Sequence, residues 1–115
     1  MEEKEIKTLI EEITAKLLTG HVIVALAVCE VGLDISCELL TYLATNNKLS
    51  PGACKEYAKR MWDHRVLIKR HTSEIKNGNF NPTLQEEHKI MEGLKEYSDT
   101  LKELDIIYKL NPDLH

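Results

Sequence analysis

The sequence predicts an all-α fold, an antiparallel bundle of four to five helices in a single domain over residues 1–115, on three observations. Apolar residues recur at three- and four-residue steps near both ends of the chain. Ser50-Pro51 and Asn81-Pro82 pair a capping residue with a proline, the signature of a helix start. No stretch alternates apolar and polar residues between hairpin turns. The length suits one domain with a modest core, and 43% hydrophobic with 30% charged residues is a globular rather than a disordered balance.

The first element starts near residue 3, where Ile6, Leu9, Ile10, Ile13 and Leu17 share one face and charged residues take the other. Gly20 either ends this helix or is carried within it. The next stretch, GHVIVALAVCEVGL, is apolar all round when wound as a helix and should be the most buried element. At Gly32 the helix either breaks, with Asp34 or Ser36 capping a new turn, or continues to the Asn46-Asn47 turn. The third helix runs from Ser50-Pro51 to about Lys76 and ends at the polar turn Asn77-Gly78-Asn79. The last opens at Asn81-Pro82, carries Leu84, Met91, Leu94, Leu101, Leu104 and Tyr108 on one face, and stops at Asn111-Pro112.

Charge is distributed unevenly. The chain carries −4 overall, yet residues 48 to 76 hold eight Lys and Arg against three Asp and Glu, with acidic segments on either side. A polyanion would therefore be captured locally, by Lys55, Lys59, Arg65, Lys69 and Arg70. The longest apolar run, Val22 to Cys29, is too short to span a bilayer, and the acidic, amphipathic start does not read as a secretory signal. Cys29, Cys37 and Cys54 form no CxxC pair, which points to a reducing, cytoplasmic setting with the thiols as small buried hydrophobes. No phosphate-binding glycine loop, nucleophile elbow or Glu-x-x-His metal pair is present, so neither a cofactor nor a metal is expected. His64 and His71 stand about 10.5 Å apart along a straight helix, too far to share a metal ion.

Wound at about 100° per residue from Met61, the third helix directs Cys54, Tyr57, Ala58, Ile68 and Ile75 at the core. Arg65 falls at about 40°, within that arc, and a guanidinium there requires a carboxylate such as Glu30 or Asp34, a partner subunit or a ligand. Trp62, near about 100°, is read either as a packing or dimer contact or as a base-stacking surface.

Two stretches, EVGLDIS at residues 30 to 36 and RMWDHRVLIKRH at residues 60 to 71, resemble the HEPN superfamily, particularly its small HepT-like members. Val66 and Ser73 depart from residues common in that family, and His71 comes one residue later than its commonest spacing. The resemblance implies a metal-independent RNA endonuclease, or a degenerate relative that retains RNA or partner binding. It would make Arg65 the phosphate-stabilising cation and His71 the acid or base, with Glu30 and Asp34 as orienting carboxylates. It also implies a homodimer and a nucleotidyltransferase-like protein partner, as in toxin–antitoxin pairs. On an unbroken helix Arg65 and His71 point about 120° apart, so they can cooperate only through a local break or across two subunits. The competing expectation is a noncatalytic helical interaction module that dimerises or docks an acidic surface through the same helix.

Overall fold

The structure, a computed structural model, describes residues 3–110. Four helices account for nearly all of them: α1 (Glu3–Thr19), α2 (Val22–Thr45), α3 (Pro51–Lys76) and α4 (Leu84–Lys109). The bundle predicted from the sequence is thus built with four members, and no strand occurs among the described residues.

Each boundary has a local cause. Gly20 ends α1, adopting φ +71°, a conformation that costs a residue without Cβ nothing. α2 closes when Asn47 takes φ +55°, which its short polar side chain tolerates, so that Lys48 N–H reaches Leu43 O at 2.9 Å. The Ser50 hydroxyl accepts from Ala53 N at 3.1 Å and Pro51 fills the first turn of α3. Gly78, at φ +72°, closes α3, with Asn79 N–H returning to Glu74 O at 2.8 Å. The start of α4 differs from expectation. Thr83, not Asn81, caps it, through a reciprocal box in which Glu86 N–H donates to Thr83 Oγ1 while the Glu86 carboxylate reaches back to Thr83. The expected stop at Asn111-Pro112 lies outside the described residues.

Gly32 neither breaks nor caps α2, which runs through it without interruption. Its missing side chain instead makes room for Leu9 of α1, with which a Cβ at this position would collide. The core gathers Ile6, Leu9 and Ile13 of α1, Leu26, Leu33, Leu39 and Leu43 of α2, Met61 and Ile68 of α3, and Leu94, Tyr97, Leu101 and Leu104 of α4. Tyr97, fully buried, hydrogen-bonds Ser36 at 2.8 Å, tying α4 to α2. α2 and α4 touch each other and both outer helices, whereas α1 and α3 do not meet. The cross-section is therefore a rhombus with α1 and α3 at its far corners.

α2 buries nine of its 24 residues, the largest share of the four helices, as expected, although Ile23, Val24 and Val31 stand on its outward face. Two apolar expectations need correction. Leu84 is 76% exposed, because α4 begins too late for its first residue to reach the core. Cys37 is exposed and only Cys29 is fully buried, where desolvation pushes its thiol up to about 12.

Candidate nucleic-acid interface

α3 carries the chemistry and divides it among three directions. The inward edge facing α2 is set by Thr72, which donates to Glu30 Oε2 at 2.7 Å. Lys69 and Lys76 also reach Glu30, at 3.6 and 3.7 Å. The Thr72 hydroxyl, helped by Lys76 and Lys69, holds the Glu30 carboxyl below the ordinary carboxylate range against the opposing effect of burial. Arg65 lies about 20° from Thr72 around the helix, two turns earlier, and so borders the same edge. It is half-buried and has no ion-pair or hydrogen-bond partner among the described residues. Neither Glu30, engaged elsewhere, nor the exposed Asp34 closes on it.

His71 belongs to the opposite edge. Its Nδ1 lies 2.6 Å from Glu74 Oε1, and its ring stands edge-on to Phe80 with centroids 6.1 Å apart. Leu67, Glu86 and Lys89 border the same hollow on the α4 side. Because α3 is unbroken from Pro51 to Lys76, Arg65 and His71 look to opposite sides of it, over α2 and over α4. The structure does not bring this predicted pair together within one chain.

An arginine and a histidine do converge one turn apart, at Arg60 and His64, in a cleft of about 320 Å³ between α3 and α4. Arg60 donates to Glu103 at 2.6 and 3.3 Å and to Thr100 Oγ1 at 2.9 Å, while Tyr57 donates to the same carboxylate at 3.1 Å. His64 Nε2 lies 3.0 Å from Thr100 Oγ1. The Arg60 hydrogen bonds depress the Glu103 carboxyl, and burial, then the Arg60 charge, depresses the His64 imidazole. This network was missed in the sequence; the signal for it was Tyr57, Arg60 and His64 falling on one arc of the helix. Asp63 and Glu96 rim the cleft and Glu103 closes on its arginine, so a phosphodiester placed here would meet three carboxylates. The network satisfies buried polar groups and pins α3 to α4.

The third direction is outward. Lys55, Lys59, Lys69 and Arg70 are all exposed, and each falls within about 80° of Trp62 around the helix. Trp62 itself is 64% exposed and Val66, one turn on, is 49% exposed. The result is a cationic strip about 22 Å long from Lys55 to Arg70 with an aromatic plate at its centre. Among the described residues no group of three or more His, Cys, Asp or Glu gathers to hold a metal ion, and no helix is long and apolar enough to cross a membrane. No protein-family model, no curated protein and no solved structure matches the chain.

Proposed function

We propose that this protein is a noncatalytic helical module that captures single-stranded RNA on the outward face of α3. The observation that carries the reading is the exposure of Trp62 in the middle of the cationic strip. An exposed tryptophan ringed by lysine and arginine suits unpaired nucleotides, since a base stacks on the ring while phosphates meet the cations. An A-form duplex offers no comparable entry, because its major groove is too deep and narrow for a helix. The acidic cleft beside Arg60 and the outward faces of α2, where Asp34 and Glu38 stand, repel the same ligand and confine it to α3. The choice of RNA over DNA rests on the HEPN resemblance.

Cleavage by Arg65 and His71 would require two copies of the chain to complement each other. A homodimer packed α3 against α3 would set Lys55, Lys59, Lys69 and Arg70 against their own kind, which opposes that arrangement. A nucleotidyltransferase-like partner meeting this face would need an acidic surface of its own. The test is titration of the purified protein with fluorescent single-stranded RNA, duplex RNA and single-stranded DNA, following Trp62 quenching. Saturable, salt-sensitive quenching by the single-stranded RNA, with the RNA left intact, supports the proposal. Absence of quenching, or tighter binding of duplex, overturns it.

A further inference from the structure

On the far side of the molecule, α1 and α4 part to leave a groove of about 370 Å³, at the lower end of the roughly 300–1,000 Å³ typical of small-molecule sites. Its walls are Leu17 and Leu18 of α1 and Met91 of α4. Leu18 stands 83% exposed at the mouth. Ser98, only 2% exposed, lines the groove, and its hydroxyl has no hydrogen-bond partner. A serine within a helix can bond back to the carbonyl one turn earlier, and a buried hydroxyl left unsatisfied is costly. We infer that this groove is a binding site for a small neutral amphiphile, an aliphatic chain bearing one hydroxyl or carbonyl group that meets Ser98.

The charge pattern selects the neutral class. Glu92, Lys95, Asp99 and Lys102 alternate along the α4 rim, so a carboxylate head would face as many anions as cations, and so would an ammonium. The lysine stems lengthen the apolar wall while their ammonium groups stay in water. The Met91 thioether chain, flexible and polarizable, adapts to whatever aliphatic shape lies against it. A hydroxyl serves both hydrogen-bonding senses, so Ser98 accepts from an alcohol or donates to a carbonyl.

The experiment compares 1-octanol, octanoate and octylamine as probes of one chain length, titrated into the full chain while its methyl resonances are followed by NMR. 1-Octanol should produce saturable shifts at Leu17, Leu18 and Met91, with octanoate and octylamine binding no more tightly. Ser98→Ala should weaken 1-octanol about fivefold, as expected for one hydrogen bond, with the fold retained because the substitution removes only an unsatisfied hydroxyl. Leu17→Trp, checked for folding by circular dichroism, should fill the groove and abolish the shifts. The proposal is overturned by unsaturable or absent shifts, by equal affinity in Ser98→Ala, or by a tenfold preference for either charged probe. Unchanged binding in a folded Leu17→Trp protein overturns it as well.

Discussion

His64 Nε2 lies 3.0 Å from Thr100 Oγ1, its hydrogen-bond partner across the seam between α3 and α4. The same hydroxyl accepts from Arg60 Nη2 at 2.9 Å and lies 3.0 Å from Glu96 O, one turn earlier in α4. One buried threonine thus joins an arginine and a histidine of α3 to the backbone of α4.

Removing that oxygen while keeping the shape should be costly. Thr100→Val leaves the buried His64 ring nitrogen and one Arg60 N–H without their shared partner and should destabilise the fold by about 1–3 kcal/mol in urea denaturation. Glu103→Gln, at an ion pair whose side chains are 33% and 46% exposed, should cost under about 1 kcal/mol. Equal losses in the two variants would contradict this ordering.

Stability should also fall in two stages on acidification. Burial and the Arg60 charge hold folded His64 below its ordinary 6.5, so just below that pH the unfolded chain takes up a proton that the folded chain refuses. The contribution is complete above about 6.5 and is lost as pH falls through the folded value. Glu30 and Glu103, held below their ordinary 4.5, add stability that disappears only as pH drops under that figure. Melting temperatures of His64→Gln should lack the upper stage, whereas His88→Gln, at an exposed position, should retain it.

Arg65 separates structure from binding. Having no partner among the described residues, it should be replaceable by alanine with a stability change within about 0.5 kcal/mol by chemical denaturation. The same variant should weaken RNA binding modestly. Trp62→Ala should weaken it by about 1–3 kcal/mol, the stacking of one base. Lys59→Glu with Arg70→Glu should flatten the salt dependence as well as the affinity, by about 0.7 in logarithmic slope for each phosphate no longer neutralised. A salt slope unchanged in the double variant would place the ligand elsewhere.

Gly32→Ala should destabilise the protein, although a glycine-to-alanine change within a helix ordinarily gains about 1 kcal/mol. The new methyl would meet Leu9, whose side chain is 5% exposed and packed in the core, so overpacking of about 1–3 kcal/mol should prevail in thermal or urea unfolding. A more stable Gly32→Ala protein would show that α1 can shift outward freely.

The helices were legible because their boundaries are written in local chemistry. Ser50-Pro51 and the Asn77-Gly78-Asn79 turn act through neighbouring backbone groups alone. Asn81-Pro82 misled because a second signal, Thr83 with Glu86, lies just beyond it and satisfies the helix amides reciprocally. The placement of Arg65 toward the core rested partly on Ala58, which is exposed. Alanine is indifferent to burial, and counting it as apolar rotates the inferred face toward α2. The true buried arc, through Met61, His64, Ile68 and Thr72, leans toward α4 and brings Arg60 inward, where Glu103 and Thr100 compensate its charge. Those partners stand some forty residues away, so no reading of α3 by itself could supply them.

The absence of any contact between α1 and α3 bears on how occupancy of one surface would be felt at another. A molecule lodged beside Leu17 and Met91 would sit on the α1–α4 edge of the rhombus and a strand lying along Trp62 at its α3 corner, with the body of α4 between them. Neither could touch the other: one would load α1 and α4, the other α3 alone. Coupling would have to pass through α4, which the buried Tyr97–Ser36 hydrogen bond holds against α2 in a single arrangement. The two affinities should then be independent, with a thermodynamic cycle that closes near zero interaction energy.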